Sequence, residues 1–516
     1  MADTKREIER KYEGPPAGED VRLPDLSGVS GVSGVLDKGV AELDATYYDT
    51  PDQRLAAASL TLRRRTGGAD AGWHLKIPVS EGVRDEIHAP LSDTVPRSLT
   101  GLVRSRVRDA ELVPLVRLLS ARDIRHLVDA SGALLAEVSL DRVRAERLSG
   151  GEGTAEWTEI EVELADDGDP AFLDKVEKKL RKAGLSRSSS PSKLARALGE
   201  TGQTGESGKR KKSAAAAATT APAADAPVTA GDHVLAYLRA QRDAIVELDP
   251  AVRRDVYDSV HSMRVATRRM RSAFRSYAGV LDRTVTDPIG DELKWLAGEL
   301  GVDRDQEVLT ERLTAALDNL PRTLLSGPVR TRLRTWSHAR GSGSRRHLIA
   351  VLDGKRYLAL LAALDATVSD PPLLKAASGD PAKVIAKAVR KDFKKVSDLV
   401  GQALDRPPGA DRDLAIHEAR KKAKRTRYSA ETATPALGRP AADLVKSMKS
   451  LQTLLGDHQD SVMSREALRD LAGQAHAAGE SAFTYGVLYG REEQRAAAAE
   501  AALPGVWEAI EGQGAV

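Results

Sequence analysis

Charged residues at every second position mark this chain's chemistry. Glu7-Ile8-Glu9-Arg10-Lys11 begins the set. Side chains of an extended strand alternate between faces, so Glu7, Glu9 and Lys11 share one side and Ile8 and Arg10 the other. Two carboxylates and an amine on one face make no apolar core; they need water, a metal or an anion opposite them. Leu62-Arg63-Arg64-Arg65 puts Arg63 and Arg65 on one face. Trp73-His74-Leu75-Lys76 and Val83-Arg84-Asp85-Glu86 again carry charge at alternate positions. Trp157-Thr158-Glu159-Ile160-Glu161-Val162-Glu163-Leu164 is the cleanest alternation, with Glu159, Glu161 and Glu163 on one face. Carboxylates hold a hard divalent cation through oxygen, and guanidinium and ammonium groups hold the oxygens of a phosphate chain. An acidic wall and a basic wall together suit metal-assisted phosphoryl chemistry. An open sheet with one wet, salt-bridged face explains a single such strand better than five.

These residues need strands arranged around a shared space. The first two hundred residues read as mainly β, with helices at about 99–119, 170–183 and 192–198 and a loop at 27–34. Further strands are expected near 45–50 and at 134–143, the latter carrying Asp141 near its end. A closed barrel, apolar outside and polar within, would gather the charges into a lumen.

Glu7-x-Glu9-x-Lys11, Leu62-Arg63-x-Arg65, Lys76 and Glu159-Ile160-Glu161-Val162-Glu163, in that order, resemble the CYTH domain over about residues 5–199. This is the triphosphate tunnel family of thiamine triphosphatases, inorganic triphosphatases and class IV adenylate cyclases. The resemblance implies an eight-stranded antiparallel barrel around a charged tunnel. It implies metal binding by Glu7, Glu9, Asp141 and two of Glu159, Glu161 and Glu163, with Mg²⁺ or Mn²⁺ as the metal. Lys11, Arg63, Arg65 and Lys76 would bind the triphosphate. Arg122 or Arg125, and Lys193, match the remaining basic positions. Glu7, Glu9, Lys11 and Lys76 would form the catalytic set.

Composition sets the outer limits. A chain of 516 residues exceeds one ordinary core, so two or more domains are expected. The absence of cysteine excludes disulfides, thiol catalysis and thiolate metal sites. No apolar run reaches the ~20 residues of a membrane span, and the first residues carry no apolar signal region. These features point to a cytoplasmic protein. Residues 201–231 change to Gly, Ser, Ala, Thr and Pro around a basic knot, Lys209-Arg210-Lys211-Lys212. Such a segment buries nothing and reads as a tether with an r.m.s. span of roughly 30 Å. The expected division is therefore 1–200, a linker at 201–231, and 232–516.

The second half reads as helical throughout and repeats itself, at about 232–370 and 380–500. His261, Arg264, Arg268, Arg269 and Arg271 in the first repeat are matched by His417, Arg420, Lys424, Arg425 and Arg427 in the second, at an offset of 156 residues. Lys421 adds a further charge. A Leu-Gly-then-Asp segment behind each, Leu300-Gly301 and Leu455-Gly456, recurs at an offset of 155. Positions 0, +3, +7 and +10 fall within a stripe about 80° wide on a helix. Like charges in a row, without acids interleaved to balance them, call for a polyanion. Few aromatics are present for stacking on bases, which disfavours nucleic acid as the ligand, although phosphate contacts alone would also serve duplex DNA.

This pattern resembles the CHAD domain, an internally duplicated all-α domain that often follows CYTH and is associated with inorganic polyphosphate. The resemblance implies that the histidines and basic residues just named contact polyphosphate. Together the two resemblances imply an α+β protein: a tunnel barrel that hydrolyses inorganic triphosphate, and a separate helical domain that tethers it to polyphosphate or to polyphosphate granules. A non-catalytic polyphosphate-binding protein and a class IV adenylate cyclase are the alternatives. Oligomeric state is not legible.

Overall fold

The computed structural model describes residues 3–14, 23–202, 227–341 and 344–512, except for the side chains at 3, 302–305 and 339–344. The chain divides into two compact units, Met1–Ala223 and Ala224–Val516. Most of the expected tether lies outside the described residues.

In the first unit eight strands close into an antiparallel barrel: β1 (Asp3–Glu13), β2 (Gly34–Asp49), β3 (Thr61–Thr66), β4 (Gly72–Ser80), β5 (Val83–Ala89), β6 (Val113–Val128), β7 (Leu134–Arg147) and β8 (Thr154–Leu164). Around the barrel their order is β1-β5-β4-β3-β2-β6-β7-β8. Helices α1 (Arg54–Ala57), α2 (Arg97–Val107), α3 (Ala171–Lys182) and α4 (Lys193–Thr201) accompany it. The barrel's polarity is inverted. Outward-facing Tyr12, Val138, Leu140, Ile160 and Val162 pack under Phe172, Leu173, Val176 and Leu180 of α3. Leu62, Trp73, Leu75 and Ile87 pack under Leu99, Leu102 and Val103 of α2. Val116, Leu118, Val143 and Trp157 meet Leu194 and Ala197 of α4. The apolar core therefore lies between barrel and helices, and the strands' charged faces turn inward.

One element departs from the sequence reading. The helix expected over 99–119 ends at Val107; Arg108 turns back with φ 60°, and β6 begins at Val113. Pro114 accounts for the change. It donates no backbone hydrogen bond and pushes the residue before it into extended backbone. It pairs with Tyr48 at a register shift in the β2–β6 ladder.

The second unit is helical: α5 (Ala230–Arg254), α6 (Ser259–Ser276), α7 (Arg283–Glu299), α8 (Val302–Asp318), α9 (Val329–Gly341), α10 (Ser344–Asp353), α11 (Lys355–Ser369), α12 (Pro381–Asp405), α13 (Ala410–Leu437), α14 (Arg439–Ala477) and α15 (Phe483–Glu511). The basic stripes lie on α6 and α13, which share one apolar core built on Met263, Met270, Phe274, Ile416, Ala419 and Ala423. The two Leu-Gly segments differ in setting. Gly301 marks a break between α7 and α8, whereas Gly456 lies inside the unbroken α14. The acids expected after Gly301, at 303 and 305, have side chains outside those described. Among the described residues no helix is long and apolar enough to cross a membrane.

Candidate active site and anion-binding helices

The lumen is a cavity of about 500 Å³. Strand alternation brings Glu7, Glu9 and Lys11 of β1 into it, together with Arg63 and Arg65 of β3, Lys76 of β4, Arg122 of β6 and Glu161 and Glu163 of β8. Register explains the acidic wall. Asp141 lies opposite Glu159 on one side and Arg122 on the other. Lys193, at the start of α4, is placed by the Ser192 side chain, which accepts a hydrogen bond from the Ala195 amide.

Lys193 Nζ sits 2.8 Å from Asp141 and 2.7 Å from both Glu159 and Glu161. Arg122 donates two hydrogen bonds of 2.7 Å to Asp141 and a third to Glu161. Lys11 reaches Glu161 at 2.9 Å and Glu9 at 3.3 Å. Asp141 is wholly buried. Burial alone would raise its pKa, but Arg122 and Lys193 hold it below the ordinary range. Against the same burial, Lys11, Lys193 and Arg122 hold Glu161 well below that range.

On the opposite side Lys76 donates to Glu7 at 2.5 Å and lies 3.7 Å from Glu86. Burial, opposed by Lys76 and assisted by a hydrogen bond shared with Glu86, raises Glu7 to about 7. Arg63 lies 3.6 Å from Glu86 and donates to the Tyr47 hydroxyl at 3.3 Å. Arg65 is ion-paired with Asp70 of the β3–β4 loop. Burial lowers His74 to about 4 even though its Nδ1 lies 3.0 Å from Glu86. The lumen therefore holds an acidic and a basic set in mutual contact.

Ligand atoms of Asp141, Glu159 and Glu161 lie within 4.8 Å of one another, and all three residues are buried. Glu159 Oε2 accepts from the Trp157 indole at 2.7 Å. Glu159 Oε1 is buried without a hydrogen bond, although Lys193 is close. Three convergent carboxylates offer the oxygen donors that a hard divalent cation takes, with Lys193 and Arg122 as their present partners.

Arg125 is placed elsewhere. It pairs with Asp37 and with Asp123, the latter at 3.1 Å, while Arg122 takes the lumen position. The two stand three positions apart, an odd offset, so one strand cannot turn both inward. Glu163 sits toward the rim, ion-paired with Lys5 at 2.7 Å.

On the helical unit, Arg264 and Arg268 of α6 come close to Arg420 and Lys424 of α13. Burial first, then Arg420, Arg268 and Arg264, lower Lys424 to about 8, with Asp460 opposing. The two Leu-Gly segments serve the same contact. A Cβ on Gly301 would stand 2.7 Å from Cζ of Arg264, and one on Gly456 would stand 3.2 Å from Nη2 of Arg420. Each arginine thus lies against a glycine. His417 Nδ1 is 2.6 Å from Gln459, and His261 is exposed.

Other members of the basic set are tied to acids. Arg269 and Arg427 share Glu431, at 3.0 and 3.3 Å. Arg425 pairs with buried Asp392 at 2.9 Å, and Lys421 pairs with Glu418 at 2.7 Å. Glu431 follows Arg427 by one helical turn, so the second stripe is not free of acid. Arg271 lines a separate cavity at the other end of α6.

A CYTH domain model matches residues 5–198 and a CHAD domain model matches residues 236–469. The chain is a CYTH–CHAD protein. Uncharacterized protein Rv2226 of Mycobacterium tuberculosis is 39% identical, over 94% of this chain and 92% of its own length. Human thiamine-triphosphatase is 42% identical over 83 residues, 16% of this chain and 31% of that protein. PptA from Streptomyces chartreusis, a solved structure, covers 55% of this chain and 99% of its own, at 21% identity and a TM-score of 0.46. The CYTH superfamily includes triphosphatases, so the barrel's family and its charged lumen point the same way.

Some lumen residues of the CYTH barrel carry no role in the sequence reading. Glu86, Arg84, His74 and Tyr47 all line the cavity. The first three show the signal in their own strands: Arg84 and Glu86 alternate in β5, and His74 shares parity with Lys76. Tyr47 lacked one, because a tyrosine in a strand reads equally as core.

Proposed function

We propose that the CYTH barrel hydrolyses a triphosphate, with inorganic triphosphate as its first substrate and Mg²⁺ or Mn²⁺ as its metal, and that the CHAD helices bind inorganic polyphosphate. The observation that carries this is one lumen with an acidic wall and a basic wall in contact. Pure anion capture has no use for Asp141, Glu159, Glu161, Glu7 and Glu9. Asp141, Glu159 and Glu161, which converge, would hold the metal, with Glu7 and Glu9 in the same lumen; when bound it supplies charge neutralisation and a more acidic water. The chain's own cations do the rest. Arg63, Arg65 and Lys76 bind and orient the phosphate chain and neutralise charge as the terminal phosphoryl group departs. Arg122 and Lys193 keep Asp141 and Glu161 ionised.

A second reading is favoured by the apolar residues Leu43, Ile124, Leu134 and Leu164 in the same lining. An inorganic chain gains nothing from them, whereas the organic part of ATP or thiamine triphosphate would. Cyclic AMP production from ATP is the sharp test of the cyclase form of that reading.

The decisive assay is phosphate release from tripolyphosphate, with and without Mg²⁺ or Mn²⁺. Wild type is expected to release phosphate only with metal, and Glu7→Ala/Glu9→Ala to lose at least a hundredfold. No release from folded wild type with either metal rejects inorganic triphosphate as substrate.

A further inference from the structure

A cavity of about 730 Å³ lies between α6, α7 and α12 of the helical unit. Its α12 side is a ladder of Lys387, Lys391 and Lys395 at four-residue steps, about 6 Å apart along the helix. Arg271 and Arg275 line the α6 side. Among the described residues, Lys387, Lys391 and Arg271 form no ion pair. Burial together with Arg275 and Arg268, opposed by Asp291, holds Arg271 below its ordinary pKa. Asp392, the nearby buried acid, pairs with Arg425 at 2.9 Å, accepts from Ser276 at 2.5 Å and lies 3.7 Å from Lys395, so, among the described residues, only Lys395 of the three ladder lysines has an acid beside it. Asp287 and Asp291 on the α7 side offset only part of this charge, Asp287 being paired with Arg283 at 2.7 Å, and an excess of positive charge in a concave site favours an anionic ligand.

The rest of the lining is different in kind. Phe274, Val280, Val384 and Ala388 form an apolar surface in the same cavity. Gly290 leaves space beside it: a Cβ there would meet Phe274 at 4.0 Å and Arg271 at 3.7 Å, ordinary contact distances. Asp291, on the α7 side, adds an acceptor. An inorganic phosphate chain presents only oxygens and gains nothing from an apolar wall. An apolar ligand gains nothing from five cations. A pocket of this size and mixed lining suits a small organic ligand with an anionic end.

We propose that this cavity binds a nucleotide-like organic phosphate, with its phosphates on the α12 lysine ladder and its ring against the wall formed by Phe274, Val384 and Ala388. The proposal does not depend on polyphosphate binding by the basic stripes or on catalysis in the barrel.

The test is equilibrium dialysis of labelled ATP and labelled tripolyphosphate against the full chain. Each cavity variant is made in a Lys76→Ala background, which weakens binding in the barrel. Lys387→Ala/Lys391→Ala removes two exposed charges without touching the core. It is expected to weaken ATP at least tenfold, since charge-assisted contacts contribute strongly. Ala388→Trp fills the apolar wall and is expected to weaken ATP tenfold while changing tripolyphosphate less than twofold. If Ala388→Trp does not fold, Val384→Asn takes its place, with a fivefold loss expected for ATP alone. The proposal fails if ATP binds all the variants as it binds the Lys76→Ala parent. It also fails if the wall variant leaves ATP unchanged while the lysine pair weakens both ligands equally, which would make the cavity an inorganic anion site.

Discussion

Lys424 is a cation of the helical unit held unusually close to losing its charge. Burial and three neighbouring arginines lower it to about 8, below the ordinary lysine value of about 10.4. The free protein therefore loses this charge as pH rises through 8. A bound polyanion favours the charged form and pushes the value back up. Polyphosphate binding is thus expected to weaken above pH 8 and to take up about half a proton per chain near pH 8. Calorimetry in two buffers of different ionisation heat measures that uptake. Lys424→Arg should abolish it, and binding by wild type with no proton uptake would remove Lys424 from the anion site. In the barrel, Lys193 neutralises three carboxylates at once. Lys193→Met leaves them facing one another. A loss of about 3–5 kcal/mol in urea unfolding is expected, lessened by divalent cations if the carboxylates are the metal site.

At the scale of elements, glycine placement and helix cover are open to test. Gly456 lies inside α14, where alanine would favour the helix by about 0.5–1 kcal/mol. Yet its Cβ would crowd Arg420 at 3.2 Å. Gly456→Ala should therefore leave thermal stability equal or higher while weakening polyphosphate about tenfold; unchanged affinity would show that the arginine's seat is not functional. Leu180 of α3 is fully buried against the barrel's outer face. Leu180→Ala should cost about 2–5 kcal/mol in denaturant unfolding, although no lumen residue is touched. Much of this architecture can be read from pattern. In β1, β3 and β8 the period of two separates lumen from core residue by residue, because Ile8, Leu62, Ile160 and Val162 alternate with charge. β6 hid its parity. Its Leu-Leu and Arg-rich stretch continues the helical pattern of α2, so Arg122 and Arg125 could not be told apart until the strand was set. Cross-strand partners such as Asp141 and Glu159 depend on register, which hairpin lengths do not reveal. The two glycines stood out as a repeat, but only packing shows that guanidinium groups rest on them.

At the scale of the whole molecule, each unit encloses apolar clusters of its own. Calorimetry of the full chain is expected to resolve two unfolding transitions. Tripolyphosphate with metal should raise one of them, by about 2.7 kcal/mol at a hundredfold excess over Kd. The other should stay within a degree unless the CHAD helices also take so short a chain, in which case Gly456→Ala would reduce its rise. One cooperative transition would show that the two units unfold as one. The inverted barrel also has a consequence for the order in which the protein is made. Synthesis delivers β7 and β8, with their buried carboxylates, before Lys193 has left the ribosome. Until that lysine docks, Asp141, Glu159 and Glu161 have only Arg122 and Lys11 to answer three negative charges. The barrel's charged chamber is thus finished last, by a residue beyond its final strand, and a nascent chain halted after β8 would carry the walls of the tunnel without the tunnel's charge balance.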